Sequence, residues 1–369
     1  YVLSILGHSR YMNITAEVVS RKLERHRIRL WGRLWGACFF FLVFSTAALA
    51  SNSAPKGLYV ENGRLMKDGH TYAGIGANYQ ALFGRILLDK NNDSTLVNLR
   101  RLADKHIAFV RFPACGFWPK GWRLYLDDRA EYFRRMDRVV RAAEEDKIGL
   151  IPSFFWHLGT IPQLVGEVPS QLGDNKSKGI AFIKQYTREM VERYKDSPAI
   201  WGWEFGNEAN LGVDLIPPGR PAFARLRGLG GNALEPEGGI RLTTAQLTNA
   251  YVNFARVVRT IDPSRVIDSG TGVPRAAAWH NARGQPRVRD NEEQAYMALL
   301  QQNPDPINML SMHIYQHPAG PESFDHFIAR YTRFAAEAGK PLFMGEFPMR
   351  NREQAEEYLA VIKQSHVPL

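Results

Sequence analysis

Cysteine is nearly absent: Cys38 and Cys115 are the only two among 369 residues, and Cys38 sits inside an apolar N-terminal segment. A pair so placed excludes a disulfide framework and a thiolate zinc site. Cys115 follows a strand end in Phe112-Pro113-Ala114-Cys115-Gly116, where a small buried thiol is the ordinary reading, ahead of a nucleophile. Phosphate-loop chemistry is excluded as well, because no G-x-x-x-x-G-K pattern occurs even in the Gly- and Pro-rich stretch from Leu211 to Leu242. That stretch reads as a lid or a cleft wall. After residue 50 no run of Lys and Arg interleaved with aromatics is found. Seven of the 47 Lys and Arg but only two of the 37 Asp and Glu lie in the first fifty residues, so of the formal charge of +10 only +5 belongs to the remainder. Such an excess is a solvated surface rather than a nucleic-acid footprint, and no nucleic-acid partner is expected. His313 and His317 are four apart on a strand and its following loop, not on one helical face, which argues against zinc.

What the chain does have begins with the arrangement of its first fifty residues. Arg21, Lys22, Arg25, Arg27, Arg29 and Arg33 precede the apolar run Ala37 to Ala50, which closes with Ala48-Leu49-Ala50. A positive region, an apolar core and an A-x-A site make a secretory signal, so residues 1–50 are expected to direct secretion or periplasmic export. If uncleaved, Leu34 to Ala50 would serve as a membrane anchor. Residues 51–369 then form one domain, a length suited to a single α/β barrel.

From Tyr72 onward the chain alternates. Near-continuous apolar runs at 72–79, 107–112, 149–156, 199–205, 265–269, 307–315 and 341–347 read as strands. Helical periodicity follows each of them, at 94–105, 128–146, 178–194, 243–261, 291–302, 322–338 and 352–364. Runs apolar on both faces, alternating with helices, argue a buried parallel sheet. The pattern predicts seven βα units of a (β/α)₈ TIM barrel, with a lead-in hairpin or loop near Glu61-Asn62-Gly63. The chain stops at His366-Val367-Pro368-Leu369, so the barrel is expected to be truncated before or within its eighth strand.

In such a barrel the chemistry sits at the C-terminal ends of the strands. The run Trp201-Gly202-Trp203-Glu204-Phe205-Gly206-Asn207-Glu208 ends by presenting an amide beside a carboxylate. Pro341-Leu342-Phe343-Met344-Gly345-Glu346 repeats the plan, with a glycine that clears space before one acid. Two acids at two strand ends suggest the carboxyl pair that glycoside hydrolysis requires. The polar strand-end set is Asn78, Arg111, His157, Asn207, Glu208, His313, Tyr315 and Glu346. Each has a plainer reading: a strand-end Glu as a structural ion-pair partner, which applies to Glu204 as well, Arg111 as the partner of a buried carboxylate, and His157 as a satisfied core histidine. Trp118, Trp122, Trp156 and Trp279 are candidate platforms for stacking on sugar rings.

The ordered set, with Arg111 on strand two, His157 after strand three, Asn207-Glu208 on strand four, His313-Ile314-Tyr315 on strand six and Glu346 on strand seven, resembles glycoside hydrolase family 5. This is the cellulase family of the retaining (β/α)₈-barrel clan. The resemblance implies a double displacement with Glu208 as general acid/base and Glu346 as nucleophile, Asn207 on the sugar 2-hydroxyl, and Asn78, Arg111, Trp118, His157, His313 and Tyr315 around the substrate. It further implies a β-linked polysaccharide or oligosaccharide of glucan or mannan type, no metal or organic cofactor, and a monomer. The family's tryptophan on strand eight has no counterpart here, which leaves a carbohydrate-binding pseudoenzyme as the rival from another class. An exo-acting or transglycosylating member is the rival within enzymes.

Overall fold

A computed structural model describes residues 55–116, 120–215, 242–285, 288–314, 323–347 and 351–369. The N-terminal segment 1–50, Trp118, Tyr315, His317 and most of the stretch from Leu211 to Leu242 lie outside them. Strands β1 (Leu58–Glu61), β2 (Arg64–Lys67) and β3 (His70–Thr71) form an antiparallel lead-in sheet turned at Asn62-Gly63, as the sequence reading placed it. The alternation then proceeds through β4 (Ala77–Asn78), α1 (Ala81–Leu88), α2 (Ser94–Asp104), β5 (Phe109–Pro113), α3 (Lys120–Asp127) and α4 (Arg129–Glu145). It continues with β6 (Gly149–Phe155), α5 (Thr160–Leu164), α6 (Lys178–Tyr194), β7 (Gly202–Gly206), α7 (Thr244–Ile261) and β8 (Val266–Asp268). Last come α8 (Ala278–Asn281), α9 (Glu292–Gln302), β9 (Leu310–His313), α10 (Phe324–Ala338), β10 (Leu342–Glu346) and α11 (Arg352–Gln364).

The helix limits have local causes. Asp128 and Ser177 cap α4 and α6 by accepting from the backbone three residues on. Thr243 with Gln246, and Asn291 with Gln294, form reciprocal capping boxes on α7 and α9. The helices α7 and α9 stop just before Pro263 and Pro304, where no backbone donor is available to continue them.

β4 through β8 pair in parallel in sequence order, and β9 pairs in parallel with β10. Asn308 and Met309 donate to the Ile267 carbonyl, linking the two sheets. The place expected to lack a strand is spanned by the last residues of the chain: Gly74 donates to the Pro368 carbonyl at 2.9 Å and Met344 to the Leu369 carbonyl at 2.8 Å. Val367 to Leu369 thus bridges β10 and the start of the first barrel strand.

Alternation along the strands builds the barrel interior in layers. The lower layer is apolar: Phe109, Ile151, Val266, Met309 and Phe343 pack with Trp201, Leu369 and the hairpin residues Leu58 and Leu65. Two residues further along, the same strands bury Arg111, Ser153, Glu204, Asp268 and Ser311. Arg111 and Glu204 in that layer bond each other, while Ser153 Oγ, Ser311 Oγ and Asp268 Oδ2 have no hydrogen-bond partner. Outward-facing residues such as Leu150, Phe154, Trp203 and Phe205 pack under α6 and α7 in the largest core cluster.

Candidate active site

Arg111 is the hub. Its guanidinium is buried to 1% exposure and all five N–H groups find acceptors. Nε donates to both oxygens of Glu204 at 2.9 and 2.7 Å. Nη1 donates to Asn78 Oδ1 at 3.1 Å and to Glu346 Oε1 at 2.6 Å. Nη2 donates to Asn207 Oδ1 at 2.9 Å and to the Gly206 carbonyl at 3.4 Å. The ring of Trp156 lies 4.6 Å from the guanidinium carbon, close enough for a cation–π contact. Because arginine only donates, each asparagine must turn its oxygen inward. The Asn78 amide N–H then reaches the Gly345 carbonyl at 2.8 Å, and that of Asn207 is left facing outward.

Glu346 ends β10 next to a register irregularity between Met344 and Glu346, a bulge that re-aims the side chain. Glycine is required at the bulge, because a Cβ on Gly345 would stand 2.5 Å from His313 Nε2. Glu208 stands beyond the end of β7 in the left-handed conformation (φ 49°), uncommon for a residue with a side chain. Its backbone N–H is held by the Gly270 carbonyl at 2.7 Å. Gly270 itself has φ +68°, and a Cβ there would stand 1.8 Å from the Gly206 carbonyl. Beyond Glu208, buried Asn210 exchanges two hydrogen bonds with Gly272 and ties the loop after β7 to the loop after β8.

His313, on β9, lies between the acids: its Nδ1 is 3.3 Å from Glu208 Oε1 and 3.7 Å from Glu346 Oε1. Burial, and then the positive charge of Arg111, push its pKa down to about 3, so the ring is neutral at ordinary pH. Burial raises the Glu208 carboxyl above its usual value, partly offset by Arg111. One potential ligand atom each from Glu208, His313 and Glu346 lies within 4.8 Å of the others, the one such grouping of His, Cys, Asp and Glu among the described residues. Arg111 already occupies Glu346 with its own charge, which opposes a cation there. The arrangement suits an acid pair better than a metal centre.

Most of the expected site residues converge. Asn78, Arg111, Asn207, Glu208, His313 and Glu346 form one hydrogen-bonded or contacting group. His157 follows β6, half-buried, with its imidazole lowered by burial. Trp118 and Tyr315 lie outside the described residues. Two of the tryptophans read as sugar platforms are buried. Trp122 is buried edge-on against Tyr125, Phe182 and Tyr186, and Trp156 is buried against Arg111. The spacing of Trp122 and Tyr125 on one face of α3 was the available sign of a core role. Asp268 went unnoticed, although it is a strand-end acid. Cys115 is buried, and burial lifts its thiol to about 12, which makes it an inert packing residue.

Over residues 77–368 the chain matches the family model for cellulase (glycosyl hydrolase family 5). It belongs to glycosyl hydrolase family 5, and its barrel is the fold of that group of glycoside hydrolases. Among solved structures it is similar to the endo-1,4-β-mannanase from Rhizomucor miehei, with a TM-score of 0.59, 16% identity, and 85% of this chain and 88% of that one covered. It is also similar to the exo-β-1,4-mannosidase Op5Man5 from Opitutaceae bacterium strain TAV5, with a TM-score of 0.54, 17% identity, and 84% and 53% covered. A probable mannan endo-1,4-β-mannosidase C of Aspergillus terreus is 54% identical over 33 residues, which are 9% of this chain and 8% of that protein.

Proposed function

We propose that this protein is a retaining β-glycosidase that cleaves β-linked polysaccharide of mannan type by double displacement. The observation that carries the reading is the approach of Glu208 and Glu346 around His313, with carboxylate oxygens within 4.8 Å of each other. Retaining enzymes hold their carboxyls roughly 5 to 5.5 Å apart, whereas inverting ones leave space for a water. In the first step Glu346 attacks the anomeric carbon while Glu208 gives its proton to the leaving glycosidic oxygen. In the second, Glu208 takes a proton from the water that releases the glycosyl group from Glu346. Arg111 bonds Glu346 and aims it, and burial raises the Glu208 carboxyl above its usual value, the direction a proton donor needs. The outward amide of Asn207 is free to donate to the sugar 2-hydroxyl, a bond that tightens in the oxocarbenium-like transition state.

The mannan assignment draws on the names of the similar proteins, and export on the basic, apolar and A-x-A parts of residues 21–50. Reducing-sugar release from β-mannan, β-glucan and β-xylan, beside Glu208→Gln and Glu346→Gln, tests the first. Release from mannan with a product of unchanged anomeric configuration, lost in both variants, is expected. Sugar binding without turnover, unaffected by Glu346→Gln, would instead make the protein a carbohydrate-binding pseudoenzyme. N-terminal sequencing of secreted material tests the second, with Arg21 to Arg33 expected to be gone.

A further inference from the structure

Glu204 and Asp268 lie beneath the acid pair and have no part in the mechanism above. They are register partners on the adjacent strands β7 and β8, exposed by 0% and 1%. As register partners on parallel strands their carboxyls point into the barrel interior at the same level. Ionised carboxylates only accept, so a bond between two of them needs a proton on one. Asp268 Oδ2 is buried with no hydrogen-bond partner, the place where a proton would sit.

The groups facing this pair are Arg111 from β5, Tyr251 from α7, His313 from β9 and Glu346 from β10. Arg111 is the cation among them, since His313 is neutral and Tyr251 keeps its proton. With Glu204, Asp268 and Glu346 all ionised, one buried guanidinium would face three buried negative charges, an arrangement whose desolvation cost nothing nearby offsets. One proton brings the count down to two, and Arg111 bonds both of the acids that remain charged.

We propose that Glu204 and Asp268 hold a single proton between them, residing on Asp268, and act as positioning residues for the glycosidase reaction proposed above, on which this inference rests. Burial, with the neighbouring Glu204 carboxylate, raises Asp268 well above the usual carboxylate range. Glu204 takes Nε of Arg111 and so fixes the plane of the guanidinium, which leaves Nη1 aimed at Glu346 and Nη2 at Asn207. Asp268 in turn accepts from the Gly270 N–H at 3.3 Å, and the Gly270 carbonyl holds the N–H of Glu208. One proton-sharing pair thereby reaches both acids of the site, through Arg111 on one side and through Gly270 on the other.

The test starts with infrared spectroscopy of Glu208→Gln, which removes the acid/base carboxyl. At neutral pH a carbonyl stretch of a buried protonated carboxylic acid is expected, and adding Asp268→Asn should abolish it. Glu204→Gln in the otherwise intact protein is expected to lower kcat by about 10²-fold with KM within about threefold, as misaiming of a reacting group does. It should also move the acid limb of the kcat/KM profile downward, because the site loses a buried negative charge. Asp268→Asn, which still donates where the protonated acid does, should leave that limb in place and recover most of the kcat that Asp268→Ala loses. Absence of the infrared band, or an acid limb moved as far by Asp268→Asn as by Glu204→Gln, would overturn the proposal. So would a Glu204→Gln protein that only melts earlier, with its pH profile unmoved. If the band were present and no sugar were cleaved by the unsubstituted protein, the pair would stand and the glycosidase reading would fall.

Discussion

Glu208 and Glu346 carry the same side chain at the mouth of the same barrel, and their surroundings have little in common. Glu346 belongs to a strand, is 7% exposed, and receives a 2.6 Å bond from a buried guanidinium. Glu208 lies past its strand end on a left-handed backbone, its side chain 25% exposed, with neutral His313 as its nearest partner. A fixed positive charge favours the ionised form, and burial without one favours the protonated form. Arg111 bonds Glu346 directly and reaches Glu208 only through its charge, and that is where the two carboxyls part.

The largest effect expected from breaking this contrast is at Glu346. Glu346→Gln keeps the shape and removes the attacking oxygen, so kcat should fall by at least about 10⁴-fold on every substrate, as loss of a nucleophile does. Glu208→Gln removes only proton transfer and should cost about 10²- to 10⁴-fold on polysaccharide. With an aryl glycoside whose phenolate leaves without a proton, the first step of Glu208→Gln should be nearly as fast as in the unsubstituted protein, while Glu346→Gln should stay silent. Pre-steady-state release of the phenol measures both, and equal losses on the two substrates would remove the division of roles.

Arg111→Lys sharpens the comparison from the other side. Lysine keeps a charge but lacks the planar fork that engages Glu204, Glu346, Asn78 and Asn207 together. We expect kcat to drop about 10²-fold with KM within about threefold, because Glu346 and Asn207 lose the bonds that aim them. An unchanged kcat would mean that the guanidinium fork is not what aims Glu346.

How much of this was legible beforehand depended on the range of the interaction. The helices α2, α4, α6, α7, α9, α10 and α11 begin and end within two residues of the bounds their periodicity implies, because buried parallel strands and amphipathic helices are written in local patterns. The barrel order then forces strand ends together, and for that reason Asn207, Glu208 and Glu346 could be chosen from sequence. The short helices α1 and α3 fall between the elements that periodicity predicts. The first strand shrinks to Ala77–Asn78, since Tyr72 packs instead edge-on against Trp201. Glu204 was recognised as an ion-pair partner in principle, but its contact with Asp268, 64 residues away, depends on interstrand register, which no local pattern encodes.

The smallest expected effect concerns the residue that separates the two acids. His313 has an ordinary pKa of 6.5 that falls to about 3 in the folded chain. Between those values the unfolded chain binds a proton at this position and the folded chain does not. Stability from His313 is therefore complete above about pH 6.5 and is lost as the pH falls toward 3, with a slope of at most about 1.4 kcal/mol per pH unit. Glutamine has no such titration. In the difference between urea-unfolding free energies of the protein and of His313→Gln, measured from pH 7 down to pH 4, the advantage of the histidine should shrink steadily with acid. A flat difference would mean that the ring accepts a proton in place, which would put a second cation between Glu208 and Glu346 and erase the contrast that Arg111 alone is argued to create.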